Sequence, residues 1–230
     1  MNLFPLFNSL RISFLATIVT FFLGILGAYY IARLPRWLKG ILDTALTIPM
    51  VLPPTVIGYI ILILVSPKST LGTFLKTTLG VTITMNWYAA VIAVVLVTFP
   101  LMYRTVRSSF EAFDVSLLHA GRTLGLSDTY LFWRVLLPNC RSGIIAGIVL
   151  SFARGLGEYG ATSMVAGYIA NKTATISTTV AYYWQTNQNE EAMNWVLINF
   201  MISFAVMFAV NFFEKRTSGR KWRKKDVTIL

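Results

Sequence analysis

The architecture turns on the stretch His119-Ala120-Gly121-Arg122-Thr123-Leu124-Gly125-Leu126-Ser127-Asp128-Thr129-Tyr130-Leu131-Phe132-Trp133-Arg134-Val135-Leu136-Leu137-Pro138. Gly125 predicts a helix stop, because glycine enters the left-handed region that closes a helix without a Cβ penalty. Ser127 or Asp128 then caps a second, short helix running through Leu131 and Trp133. Leucines, Phe132 and Val135 give both pieces apolar faces. The pattern leaves two readings open: a helix–turn–short helix that projects to meet a partner, or an amphipathic helix lying on lipid headgroups through Arg122 and Arg134.

Outward from this segment the chain is made of apolar blocks. Of its 230 residues 56% are hydrophobic and only 13% charged, and the net charge is +11. A soluble domain is usually about a quarter charged, so a disordered tail and an ordinary soluble enzyme both fit poorly. Five blocks, near residues 10–32, 44–65, 88–103, 143–166 and 195–213, approach or reach the length that crosses about 30 Å of hydrocarbon. Inside lipid the backbone must bond to itself, so each is expected to be an α-helix. The expected fold is all-α: a polytopic membrane protein of about five transmembrane helices forming a single domain over residues 1–230. A loop at 104–142 and a basic tail at 214–230 complete it. The first block is too long, and too poor in basic residues at its start, for a signal peptide; it reads as a mature span.

The cations set the orientation. Fifteen Lys and Arg fall on the side holding the 104–142 loop and the tail, while Arg11, Lys68, Lys76 and Lys172 fall on the other and Arg154 lies within a span. The positive-inside rule puts the N-terminus outside and the C-terminus in the cytoplasm of a multi-pass plasma (inner) membrane protein. Charges placed in this way orient spans, and they give no reason to expect nucleic acid as a partner. One cysteine, Cys140, and one histidine, His119, exclude an internal disulfide framework and leave no metal site.

Two spans carry unusual residues. Pro49, Pro53 and Pro54 predict a kink or break before Thr55 and Gly58, since proline lacks the helical donor and clashes with the preceding turn. That irregularity either serves packing or lines a wet route at membrane depth. In the fourth span Arg154 and Glu158 are spaced to share a helix face. They form either a structural ion pair at a bundle or dimer interface, or a pair in which Arg154 lends positive potential to an anion route and Glu158 holds it. Thr47, Thr55, Ser151, Thr162 and Ser163 offer hydroxyls along such a route, with Pro53 at its gate. Each hydroxyl can instead bond back to its own helix.

His119-Ala120-Gly121, three residues, Gly125, nine residues and Val135-Leu136-Leu137-Pro138 resemble the EAA loop of ABC importer permeases. That loop reads Glu-Ala-Ala, three residues, Gly, nine residues, Ile, one residue, Leu-Pro. The spacing fits throughout, with His119 in place of the acidic residue, Gly121 in place of the second alanine and Val135 in place of isoleucine. The resemblance implies the type I ABC importer permease fold, with a short helix seated in a groove of an ATPase subunit. The coupling residues would be His119, Ala120, Gly121, Gly125, Leu126, Ser127, Asp128, Leu137 and Pro138. A second stretch, Ala153-Arg154-Gly155-Leu156-Gly157-Glu158-Tyr159-Gly160-Ala161-Thr162 continuing to Met164-Val165-Ala166-Gly167, looks like the molybdate permease branch when taken with Leu46 to Gly58. Against six-span relatives the chain begins at what would be their second span, a length variation that the family allows.

The implied partners are a second copy of the chain, two ABC ATPase subunits that bind ATP and Mg, an extracytoplasmic oxyanion-binding protein and the lipid bilayer. Residues 168–194, polar with Tyr182, Tyr183 and Trp184, read as a docking surface for that binding protein or as a solvated loop. No Gly-x-x-x-x-Gly-Lys-Ser/Thr loop, His-Glu-x-x-His helix or Gly-x-Ser-x-Gly elbow occurs, so no catalytic residue and no cofactor are assigned to this chain. The expected function is ATP-driven molybdate import with hydrolysis in a separate subunit. A tungstate or sulfate permease is the alternative of the same class. A non-transporting membrane scaffold and a passive anion channel are alternatives of other classes.

Overall fold

A computed structural model describes the backbone of residues 2–225 and the side chains of residues 2–208. Among these residues all regular structure is helical: α1 (Phe4–Ala32), α2 (Arg36–Val51), α3 (Pro54–Val65), α4 (Thr70–Leu79), α5 (Trp87–Glu111), α6 (Ser116–Thr123), α7 (Asp128–Leu131), α8 (Leu137–Asn139), α9 (Arg141–Leu156), α10 (Gly160–Val165), α11 (Ile176–Gln185) and α12 (Asn189–Lys225). A π turn, Phe132–Leu136, joins α7 to α8. Helix α12 continues to Lys225 into the expected 214–230 tail, and the side chains of the cations assigned to that tail lie outside the described residues.

Helices α1 and α5 and the Asn189–Phe208 part of α12 are each long and apolar enough to cross a bilayer. The stretches at 44–65 and 143–166 are not the single helices expected from their hydropathy. The first is α2 and α3, bent by 108° at Leu52-Pro53. Pro53 supplies no N–H, and Leu52 before it is extended with ψ 139°, as a residue preceding proline tends to be. The second ends as a helix at Leu156, turns through Gly157–Tyr159 and resumes as α10. At its other end the helical run Asp128–Asn139 meets α9 at 72°. Helix α5 continues to Glu111, so residues 104–111, expected in the loop, extend a span instead.

The chain divides into two compact units, one ending at Thr179 and the other beginning at Val180. In the first, α1 lies against α5 and α9 through small side chains: Ser13, Ala16, Thr20, Gly24 and Ala28 on α1, and Ala89, Ala90 and Ala93 on α5, are all buried. Lipid tails remove most of the hydrophobic drive between helices, so such pairs rest on close approach and dispersion. Met102 shows how close: a Cβ at Gly24 would lie 2.7 Å from its Cγ, and one at Gly147 would lie 2.6 Å from its sulfur. Buried residues form two clusters. One joins Ile12, Ile57, Ile61, Val94 and Val165 of α1, α3, α5 and α10; the other joins Ile25, Tyr103, Val106, Leu136 and Ile144 nearer the Gly125 turn. In the second unit α12 exposes Phe200, Phe204 and Phe208, the composition of a lipid-facing surface.

Candidate functional site

The turn at Gly125 is built as its sequence implies. Gly125 has φ +78°; its N–H donates to the Arg122 carbonyl at 2.9 Å, and the Leu126 N–H donates to the Gly121 carbonyl at 3.1 Å. These are the paired bonds of a Schellman close. Nothing lies within 4 Å of a Cβ built on Gly125, so the backbone conformation alone calls for glycine there. Gly121 answers to packing: its Cβ would sit 2.4 Å from Cδ2 of buried Leu131, and its bare Cα lets α6 lie on α7. Ser127 is the cap of α7, its Oγ accepting the Tyr130 N–H at 3.3 Å. Asp128 is the first residue inside, where the helix dipole favours a carboxylate, and it accepts from Arg122 Nε at 2.9 Å. That bond from Arg122, more than the attraction of Arg33, holds the Asp128 carboxyl below its ordinary range.

His119, Ala120 and Leu126 face outward, and Leu124 and Trp133 are 79% and 61% exposed, so the turn presents an apolar surface. Leu137 is half-buried and Pro138 exposed, with the Leu137 N–H returning to the Phe132 carbonyl in π register. Pro138 has no N–H to offer Arg134, which favours the widened turn.

Two contacts that the sequence reading missed tie this region to the spans. Tyr29 at the end of α1 packs edge-on against Phe132 with centroids 4.4 Å apart, and Arg33 lies over the Tyr29 ring at 4.0 Å and 3.9 Å from Asp128 Oδ2. Beside it a polar network joins α2 to α5. Arg107 pairs with Asp43, Asp43 also accepts from the Tyr103 hydroxyl, and Glu111 takes Lys39 at 2.7 Å and Arg107 Nε at 3.1 Å. The available signal was Asp43 itself, the sole carboxylate before Glu111.

Deeper in the molecule the two helix breaks meet. A Cβ on Gly160 would stand 3.0 Å from Pro54 Cβ and 3.1 Å from the Thr55 nitrogen; one on Gly58 would stand 2.8 Å from Ala161 Cα and carbonyl oxygen. Glu158, 3% exposed, accepts the Ala161 N–H on Oε1 at 2.9 Å, and Arg154 Nη1 lies 2.7 Å from Oε2. The pair therefore forms, but across the end of α9 rather than along one helix face, because α9 stops at Leu156. The Arg154 side chain remains 36% exposed while that of Glu158 is 1% exposed. The carboxylate's burial is offset by the guanidinium and by the first N–H groups of α10.

The hydroxyl candidates separate into kinds. Thr47 Oγ1 donates to the Asp43 carbonyl at 2.7 Å and Ser163 Oγ to the Gly160 carbonyl at 3.0 Å, the ordinary return to a helix's own backbone. Ser151 and Thr162 are buried, and their hydroxyls find no hydrogen-bond partner among the described residues. Pro53 and Thr55 are exposed at the break beside Gly160. Part of the 168–194 segment is closed: Thr173, Thr175, Thr178 and Thr179 are buried, with Asn8 Nδ2 donating to the Ala174 carbonyl and the Ile176 N–H donating to Ser9 Oγ, each at 2.9 Å. Among the described residues no three His, Cys, Asp or Glu side chains are grouped to hold a metal.

The profile of the family described as binding-protein-dependent transport system inner membrane component matches residues 5–219. The molybdenum transport system permease protein ModB of Escherichia coli (strain K12) is 38% identical over 182 residues, covering 79% of this chain and 80% of that one. The protein of the same name from Haemophilus influenzae is 37% identical over 74% of each chain. The sulfate transport system permease protein CysW of a Synechocystis strain is 29% identical, covering 86% of this chain and 71% of its own. Among solved structures, the MetNI methionine ABC transporter in inward-facing conformations superposes with a TM-score of 0.70 at 15% identity over 92% of this chain and 94% of that one, which speaks to the fold. Paired helix breaks, a Gly125-closed turn and these likenesses converge: the chain belongs to the binding-protein-dependent inner-membrane permease family, on its molybdenum-transport branch, as a multi-pass transport subunit.

Proposed function

We propose that the chain is the translocating subunit of an ATP-driven molybdate importer, working as two copies with two ABC ATPase subunits and one extracytoplasmic oxyanion-binding protein. The N-terminus lies outside and the coupling turn in the cytoplasm, as the cation asymmetry favours. The observation that carries this reading is the Gly125 turn. It is a glycine-closed helix pair with an exposed apolar surface at Leu124 and Trp133, fastened to α1 through Tyr29, Arg33 and Asp128. An ATPase groove that closes on such a surface, binding ATP and Mg in its own chain, moves α1 and α9 with it. The molybdenum-transport relatives supply the substrate. The partly exposed Arg154, held by Glu158, offers positive potential to a dianion, and the unpartnered Ser151 and Thr162 hydroxyls offer short-lived hydrogen bonds.

The test is molybdate uptake by the reconstituted complex with and without ATP and with Gly125→Asp, which forces a side chain onto a left-handed backbone. Uptake is expected to need ATP and to fall sharply in the variant. Uptake indifferent to both would overturn the mechanism. The alternative within the same class is a tungstate or sulfate permease, and the likeness to a sulfate permease speaks for sulfate. Competition of sulfate and tungstate with molybdate at the cognate binding protein separates the three.

A further inference from the structure

The stretch after α3 carries no span, yet it folds as α4. On that helix Leu71, Phe74, Leu75 and Leu79 recur at the spacing of one face, which Thr78 interrupts, with Thr73, Lys76 and Thr77 on the other. The apolar face is open, with Leu71 53%, Phe74 59% and Leu79 62% exposed. The helix is nonetheless firmly set. Ser69 Oγ donates to the Leu64 carbonyl at 2.7 Å and accepts the Gly72 N–H at 2.9 Å, and a Cβ on Gly72 would fall 1.9 Å from the Ser66 carbonyl oxygen. Gly80, at φ +65°, closes the other end.

Position and charge say what covers that face. Helix α4 follows directly on the end of α3 at Val65 and precedes α5 at Trp87, so it lies where the chain leaves one span and enters the next, opposite the coupling turn. Trp87 and Tyr88 open α5, and Arg11 stacks over the Trp87 ring at 3.5 Å, a combination suited to the headgroup zone. Lys68 and Lys76 are the only charged residues between Asp43 and Arg104. We propose that α4 is an in-plane membrane helix that lays Leu71, Phe74, Leu75 and Leu79 into the bilayer face opposite the coupling turn, with Lys68 and Lys76 over anionic headgroups.

The test uses the full chain reconstituted in phosphatidylglycerol vesicles, in a Cys140→Ala background that removes the single native thiol. Leu71→Cys, Thr73→Cys, Phe74→Cys, Thr77→Cys and Leu79→Cys each carry a nitroxide, and its collisions with lipid-soluble oxygen are compared with those with a water-soluble nickel chelate. The oxygen-to-nickel ratio at 71, 74 and 79 is expected to exceed that at 73 and 77 several-fold. Equal access of nickel at all five positions overturns the proposal, as does exclusion of both reagents from 71, 74 and 79, the signature of cover by a second copy or another protein. The ratio at 74 is expected to fall in phosphatidylcholine vesicles; a ratio indifferent to headgroup charge overturns the role given to Lys68 and Lys76.

Discussion

Arg154 and Glu158 have unequal environments, and this decides how each responds to substitution. The Glu158 carboxylate is 1% exposed and Arg154 is 36% exposed, so removing the cation leaves a buried anion, whereas removing the anion leaves a cation that reaches water. Arg154→Ala is expected to destabilise the purified subunit by about 3 kcal/mol, toward the low end for a buried pair because Arg154 is partly solvated. Glu158→Gln keeps an oxygen to accept the Ala161 N–H, so Arg154→Met with Glu158→Gln should recover thermal stability. If Arg154 serves the anion, uptake stays low in that stable double variant; full recovery of uptake would reduce the pair to a structural one. The sequence made the pair legible by its spacing. It hid the asymmetry, because the end of α9 at Leu156 places Glu158 where it caps α10.

At the scale of elements, the two broken spans make one unit, since α3 and α10 touch through Gly58, Ala161, Pro54 and Gly160. A side chain added at Gly58 meets Ala161 backbone at 2.8 Å, which cannot swing aside, whereas one at Gly121 meets the far end of the Leu131 side chain, which can. Gly58→Ala is therefore expected to cost about 1–3 kcal/mol, the usual range for overpacking, and more than Gly121→Ala. Thermal unfolding of the two variants side by side checks the order; equal losses would mean that α10 gives way as easily as a leucine. The break in the second span could be read from Pro53 and Pro54. The break in the fourth could not, because Gly157-Glu158-Tyr159-Gly160 contains no proline, and the close approach of Gly160 to Pro54 and Thr55 is a long-range contact that no local pattern records. Helix α4 escaped the sequence reading for another reason: its four apolar residues are too few for a span, and its meaning lies in the period.

Across the whole first unit, α2 and α5 are linked by Lys39, Asp43, Tyr103, Arg107 and Glu111. Asp43 and Arg107 are only 17% and 20% exposed, so their coupling should exceed that of a surface pair. Asp43→Asn and Arg107→Gln are expected to be strongly non-additive, with an interaction energy of about 1–3 kcal/mol in a double-mutant cycle on thermal stability. Additive losses would show that the two residues act separately. Hydropathy and the Gly125 spacing were enough by themselves for an all-helical membrane subunit with a glycine-closed turn, because lipid admits few backbone arrangements and glycine few substitutes. Only the tertiary structure decided where the spans break, which hydroxyls lack partners and how the turn is tied to α1 and α5 to α2. These depend on contacts between residues far apart in the chain, such as Tyr29 with Phe132 and Gly58 with Ala161, and no local pattern records them.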